Sequence, residues 1–132
     1  MNPRILVLED DQALCKIYSI VLRKMGFAPD FAPCGEDAIA LYTQANTSAA
    51  PYAAVILDLF VVHGMGGLET CEKLRAISPQ VYTIVASGSS KETLSSEYQE
   101  KGFTDFLAKP FRVQDLEECL TRMKTRLAQA GT

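Results

Sequence analysis

Short apolar runs and longer amphipathic stretches alternate along the whole chain. Five runs, each four to six residues long, are rich in Val, Ile, Leu, Phe and Ala, which is typical of strands buried on both faces. They cover Ile5 to Leu8, Ala28 to Ala32, Tyr52 to Leu57, Val81 to Ala86 and Phe103 to Ala108. Each run is followed by polar or glycine-containing residues, where we expect the strand to end.

The stretches between and after these runs repeat with the period of a helix. In the first stretch, apolar residues from Leu14 to Met25 fall on one helical face, and Gly26 is expected to end the helix. The fourth stretch is mostly polar, with Leu94 and Tyr98 as its clearly apolar residues. We therefore predict five helices, which contain residues 14–25, 35–45, 68–77, 90–101 and 113–127.

Five units of strand followed by helix predict an α/β protein. This alternation favours a doubly wound parallel sheet with helices on both faces. In such sheets the working site lies at the carboxyl ends of the strands. The length of 132 residues gives one domain over residues 1–132, with a core from about 4 to 127. We expect no effector domain beside it.

Composition and charge narrow the functional classes. The chain has 13 basic and 16 acidic residues, so its net charge of −3 predicts no direct nucleic-acid binding. Its apolar runs are too short to cross a bilayer, and its start lacks the apolar region of a signal peptide. We therefore expect a cytoplasmic protein without membrane insertion. Its four cysteines have no metal-binding spacing and are expected to be reduced.

Polar side chains follow the predicted strands at the edge where a site is expected. Glu9 and Asp10 follow the first strand, Asp58 the third, Ser87 the fourth and Lys109 the fifth. Carboxylates packed together repel one another unless a cation shares them, and an all-oxygen set suits Mg²⁺. Asp58 can also be a nucleophile, because carboxylates form acyl phosphates. The ammonium and the hydroxyl could then satisfy phosphoryl oxygens.

Simpler roles explain some neighbouring residues. Asp11 is expected to cap the first helix or to lie in its first turn, where acidic residues favour the helix dipole. His63 is the only histidine and lies in a glycine-rich segment, so we expect a solvated loop residue. Asp58, in contrast, interrupts a continuous apolar run, an improbable position for a charge that has no function.

Four segments carry a family resemblance. The sequences ILVLEDD, AAVILDLF, TIVASG and GFTDFLAKPF, in this order, resemble the signature segments of two-component response-regulator receiver domains. The resemblance covers about residues 4–127 and is nearest to single-domain, chemotaxis-type regulators. It implies a flavodoxin-like fold with five helices and the strand order 2-1-3-4-5. It also implies a phosphorelay switch that accepts a phosphoryl group from a sensor histidine kinase or a histidine phosphotransfer protein.

The resemblance assigns roles around a Mg²⁺ ion. Asp58 matches the phosphoacceptor and also a metal ligand. Asp10 would bind the ion directly, Glu9 would bind it through water, and Phe60 would contribute its backbone carbonyl. The protein would promote only its own phosphorylation and dephosphorylation and would not be an enzyme for other substrates.

The resemblance also assigns the switch. Ser87 matches the switch hydroxyl, Phe106 the switch aromatic residue, and Lys109 the lysine that pairs with the phosphate. The peptide bond between Lys109 and Pro110 is expected to be cis. The signal would pass to an unknown downstream protein through the fourth predicted helix, the fifth strand and the last helix.

The segment after Asp58 departs from the family pattern. Family members usually have proline four residues after the acceptor, where this chain has Val62. The segment before Gly67 is also one residue longer than the pattern. We therefore expect an unusual loop shape beside the phosphorylation site.

Several other functions remain as alternatives. The chain could be the receiver part of a hybrid kinase, a phosphorelay intermediate or a docking module that acts without phosphorylation. A haloacid-dehalogenase-type phosphatase needs a second aspartate two residues after its nucleophile, where this chain has Phe60. A flavin carrier needs a phosphate-binding loop after the first strand, where this chain has three acidic residues.

Overall fold

Five strands and four helices make up the part of the chain that the computed structural model describes, residues 2–88 and 102–130. The strands are β1 (Arg4–Leu8), β2 (Ala28–Ala32), β3 (Tyr52–Asp58), β4 (Thr83–Ser87) and β5 (Asp105–Ala108). The helices are α1 (Gln12–Lys24), α2 (Gly35–Asn46), α3 (Gly67–Ile77) and α4 (Val113–Ala130). The helix predicted over residues 90–101 lies outside the described residues, so α4 is the last of the five predicted helices.

The strands form one parallel sheet in the order β2-β1-β3-β4-β5, which confirms the predicted topology. Several strand boundaries were predicted wrongly: β1 begins one residue earlier, at Arg4, and β3 ends one residue later, at Asp58. β4 begins at Thr83 and includes Ser87, and β5 begins at Asp105, although the apolar runs start two residues earlier in both cases. Val81 and Phe103 pack as apolar residues just before their strands, so hydrophobicity alone extended the prediction.

Alternate residues of the central strands face opposite layers. Ile5, Val7 and Ile56 pack in one core with the buried faces of α1 and α4. Leu6 and Leu57 pack in a second core with α2 and α3. Because both faces of the sheet are covered, these strands are apolar throughout rather than alternating. Among the described residues, no helix combines the length and the apolar character needed to cross a bilayer.

The ends of α1 follow from local interactions. Asp11 is the N-cap, and its Oδ1 accepts hydrogen bonds from the N–H groups of Ala13 and Leu14, which confirms its predicted structural role. After the helix, Gly26 has a φ of +92°, a conformation that favours glycine. The chain then reverses into β2, and the Asp11 end of α1 lies at the same edge of the sheet as Glu9.

Tyr18 of α1 carries a buried hydroxyl without a hydrogen-bond partner in the described part of the chain. Its ring is 1% exposed and packs against Phe111 with a centroid distance of 5.5 Å. Because leaving a polar group unsatisfied costs about 1–3 kcal/mol, we expect Tyr18→Phe to raise the free energy of unfolding by about 1 kcal/mol. Urea unfolding of both proteins measures this difference, and a destabilised variant would show that the hydroxyl has a partner.

Candidate functional site

The strand register brings the predicted site residues to one edge of the sheet. Leu8 of β1 pairs with Leu57 of β3, so the next residue on each strand, Glu9 and Asp58 respectively, lies at the same edge of the sheet. Asp58 pairs with Ala86, and Ser87 pairs with Ala108. The residues that end β1, β3, β4 and β5 therefore line one pocket, as the alternation of strands and helices predicts.

Three carboxylates meet in this pocket. Glu9, Asp10 and Asp58 each offer an oxygen, and these oxygens lie within 4.8 Å of one another. Glu9 is 3% exposed and Asp58 6%, whereas Asp10 is half-buried. Hard oxygen ligands at this spacing fit Mg²⁺, which is bound by one or two carboxylates and keeps several waters. The donor set on these residues is therefore suited to the ion that the resemblance implies.

Lys109 lies between two of these carboxylates. Its Nζ donates a hydrogen bond of 2.7 Å to Glu9 Oε1 and lies 3.1 Å from Asp58 Oδ1. Burial alone would lower the pKa of Lys109, but the hydrogen bond to Glu9 and the charges of both carboxylates together raise it. The ammonium thus stays protonated and offsets charge in the pocket.

Glu9 is held by both of its carboxyl oxygens. Besides the bond to Lys109, its Oε2 accepts from the backbone N–H groups of Asp10, at 3.1 Å, and Asp11, at 3.2 Å. Burial raises the pKa of Glu9, and this effect outweighs the lowering by Lys109 and by the backbone donor. The Asp58 charge adds to the rise. Burial therefore makes the ionised form of Glu9 costly.

The predicted switch residues lie on the neighbouring strands. Ser87 is 2% exposed at the end of β4, and its carbonyl accepts a hydrogen bond of 2.7 Å from Lys109 N. Phe106 is half-buried on β5 against the core that contains α2 and α3. The peptide bond between Lys109 and Pro110, implied to be cis, is cis in the structure.

The loop from Leu59 to Gly66 follows β3 and is called here the acceptor loop, after the role that the resemblance assigns to Asp58. Phe60 is 75% exposed and Val62 79%, two large apolar side chains directed to solvent. The loop returns closely to β3, because a Cβ on Gly67 would lie 2.6 Å from the Asp58 carbonyl oxygen. The role of the Phe60 carbonyl as a metal ligand stays a prediction.

The acceptor loop makes two contacts that sequence reasoning missed. Val62 N donates to Asp10 Oδ2 at 2.6 Å, and Met65 N donates to Glu36 Oε1 at 2.7 Å. Val62 in place of the usual proline was a signal for the first contact, because only a non-proline residue has the N–H. Glu36 gave no signal, since an acidic residue in the first turn of a helix is common.

His63, which belongs to the acceptor loop, borders a cleft of about 250 Å³ beside the acidic pocket. Asp10, Pro33, Cys34 and Gly64 form the rest of its lining. His63 is exposed, as predicted for a loop residue, and it is not part of the carboxylate cluster.

The fold is that of known receiver domains. The signal receiver domain of a putative LuxO repressor protein from Vibrio parahaemolyticus superposes with a TM-score of 0.84 at 23% identity, covering 99% of this chain and 96% of that one. The chemotaxis protein CheY4 of Vibrio cholerae superposes with a TM-score of 0.79 at 22% identity, covering 93% of this chain and 99% of CheY4. These likenesses define a flavodoxin-like, CheY-type α/β protein.

Sequence comparisons define the family. Residues 5–121 match the model of the response regulator receiver domain, and the chain therefore belongs to this family of two-component signalling modules. It is 35% identical over 131 residues to the DNA-binding response regulator MtrA of Mycobacterium tuberculosis, covering 96% of this chain and 51% of MtrA. It is 32% identical over 115 residues to the transcriptional regulatory protein QseB of Haemophilus influenzae, covering 86% of this chain and 48% of QseB. The chain spans about half the length of these relatives.

Proposed function

We propose that this receiver domain is a phosphoryl-accepting switch with Asp58 as the acceptor. One observation carries the proposal: a nearly buried aspartate at the end of a central strand lies 3.1 Å from a lysine ammonium and close to two further carboxylates. Such a group is oriented for reaction and its charge is already partly compensated. The family membership gives the donor class, a phosphohistidine of a sensor kinase or a histidine phosphotransfer protein.

In the proposed reaction, an Asp58 carboxylate oxygen attacks the phosphorus atom of the donor. The phosphorus–nitrogen bond to the donor imidazole breaks, and an acyl phosphate forms on Asp58. Lys109 Nζ is close enough to hydrogen-bond the new phosphoryl oxygens, since it already contacts Asp58 Oδ1. When held by Asp10, Asp58 and the Phe60 carbonyl, and by Glu9 through water, Mg²⁺ would offset the negative charge that gathers in the pocket.

The proposed output begins at Ser87. Ser87 follows Ala86, which pairs with Asp58, and its hydroxyl would move to a phosphoryl oxygen. Phe106, half-buried on the next strand, would repack into the space that this movement leaves. The face formed by β5, α4 and the helix predicted over residues 90–101 would then change its affinity for a downstream protein.

We propose no turnover of other substrates. Phe60 stands where a haloacid-dehalogenase-type phosphatase has its general acid, and its apolar side chain points to solvent. The names of MtrA and QseB describe DNA binding and transcriptional regulation in proteins about twice as long as this chain. We propose that this domain itself acts on a protein partner, because its net charge of −3 provides no basic surface for nucleic acid.

Acetyl phosphate tests the proposal without the unknown kinase. We expect intact-mass spectrometry to show one phosphoryl adduct after incubation with acetyl phosphate and Mg²⁺, and no adduct when EDTA replaces the metal. Peptide mapping of the adduct, after reduction of the acyl phosphate with borohydride, is expected to mark Asp58. Absence of an adduct from both acetyl phosphate and phosphorylated histidine donors would favour a phosphorylation-independent docking module.

A further inference from the structure

We propose that the backbone N–H of Val62 is a positioning group that holds the Asp10 carboxylate for divalent-cation binding. The inference rests on the proposed function, because it concerns the cation that accompanies phosphoryl transfer. The acceptor loop would thus contribute to the acidic pocket through its backbone. The side chain of Val62 is 79% exposed and takes no part in the contact.

The compensation of charge in the pocket shows why Asp10 needs this donor. Lys109 pairs with Glu9 and Asp58, but Asp10 forms no ion pair in the described part of the chain. Its partner there is Val62 N, at a donor–acceptor distance of 2.6 Å from Oδ2. Hydrogen bonds to an ionised acceptor are shorter and stronger than neutral ones. This contact therefore fixes the one carboxylate that the lysine does not reach.

The geometry leaves Asp10 able to bind a cation while the contact is intact. Val62 N occupies Oδ2, and the other oxygen has no hydrogen-bond partner among residues 2–88 and 102–130. The three carboxylates already lie within 4.8 Å of one another with the contact in place. Carboxylates that ligate metals are commonly oriented by such a second hydrogen bond, which fixes the direction of the ligating oxygen.

The acceptor loop is anchored so that it can position a ligand. Beyond Val62, Met65 N donates to Glu36 Oε1 and Met65 O accepts from Gly35 N, each at 2.7 Å. Gly64 has a φ of +86°, and a Cβ there would lie 2.9 Å from Glu36 Oε1. The loop is thus tied to the start of α2 at one end and to Asp10 at the other.

This contact depends on one departure from the usual pattern. Val62 supplies an N–H at the position where family members usually have proline, which has none. The positioning group is therefore a property of this chain rather than of the common pattern.

Val62→Pro tests the inference, with Val62→Ala as the matched control. Proline deletes the N–H, whereas alanine deletes most of the exposed side chain and keeps the donor. We expect an NMR titration with MgCl₂ to show about tenfold weaker Mg²⁺ binding for Val62→Pro. Val62→Ala is expected to bind within about twofold of the wild type, since loss of an exposed side chain leaves the Asp10 contact in place.

Hydrogen exchange of the Val62 amide in the wild type gives an independent result without any substitution. We expect Mg²⁺ to slow this exchange, because a bound cation and the N–H would hold the same carboxylate. Equal or tighter Mg²⁺ binding by Val62→Pro, or faster Val62 exchange with Mg²⁺, would overturn the inference and leave the proposed function standing. No Mg²⁺ binding by the wild type would contradict the metal step of the proposed function itself.

Discussion

Asp58→Asn is expected to give a folded protein that gains no phosphoryl group from acetyl phosphate and Mg²⁺. The amide is not a nucleophile, and no other carboxylate takes the place of Asp58 at the end of β3. The fold should persist because the amide is nearly the same size and its oxygen can still accept from Lys109. We expect an unfolding free energy within about 1 kcal/mol of the wild type, since the variant also removes one of the three neighbouring negative charges.

Intact-mass spectrometry measures this loss, with Asp37→Asn as the matched control. Asp37 is an exposed aspartate in the first turn of α2, so its replacement makes the same chemical change away from the pocket. The control variant should keep the full adduct. A persistent adduct in Asp58→Asn would show that Glu9, Asp10 or another group accepts the phosphoryl group.

The pattern of the sequence predicted the sheet because each strand is buried on both faces. In a chain where amphipathic helices alternate with apolar runs such as Ile5 to Leu8, these runs are explained as strands of a parallel sheet covered on both faces. Topology rules then leave few possible strand orders. Strand boundaries were less predictable. Phe103 is buried just before β5, so burial and strand pairing do not begin at the same residue.

The candidate site was predictable where its residues end strands. Glu9, Asp58 and Lys109 meet because parallel strands share one edge, and the sequence shows where each strand stops. Contacts made by the backbone of the acceptor loop were not predictable. The bond from Val62 N to Asp10 depends on the path of the loop, which is set by the backbone of Gly64 and by the contact of Met65 with Glu36.

Lys109→Met is expected to have the largest effect on stability among substitutions in the pocket. Methionine has a similar length but no charge, so Glu9 and Asp58 lose the cation that lies 2.7 and 3.1 Å from their oxygens. Glu9 is 3% exposed and cannot be compensated by solvent. Breaking a buried ion pair on one side costs about 3–5 kcal/mol, and we expect a loss of about 3 kcal/mol at pH 8 because Lys109 itself is partly exposed.

The stability lost in Lys109→Met should depend on pH in the direction expected for ionisation of Glu9. Burial holds the pKa of Glu9 above its usual value of 4.5 in the folded protein. As pH rises from 4.5 towards the folded pKa, Glu9 ionises first in the unfolded chain, so its contribution to stability falls until the folded pKa is passed. Without Lys109 the folded pKa rises further, and the fall becomes larger and extends to higher pH. The variant should therefore be nearest to the wild type at about pH 4.5 and farthest from it at pH 8.

Urea unfolding at several pH values in Mg²⁺-free buffer measures this dependence. The double variant Glu9→Gln with Lys109→Met serves as the control, because it removes the more deeply buried of the two carboxylate charges together with the lysine that both share. We expect it to recover part of the stability lost at pH 8, since the uncompensated charge of Glu9 is gone while that of Asp58 remains. An equal loss at every pH, or no recovery in the double variant, would show that Lys109 stabilises the fold by packing of its side chain rather than by its charge.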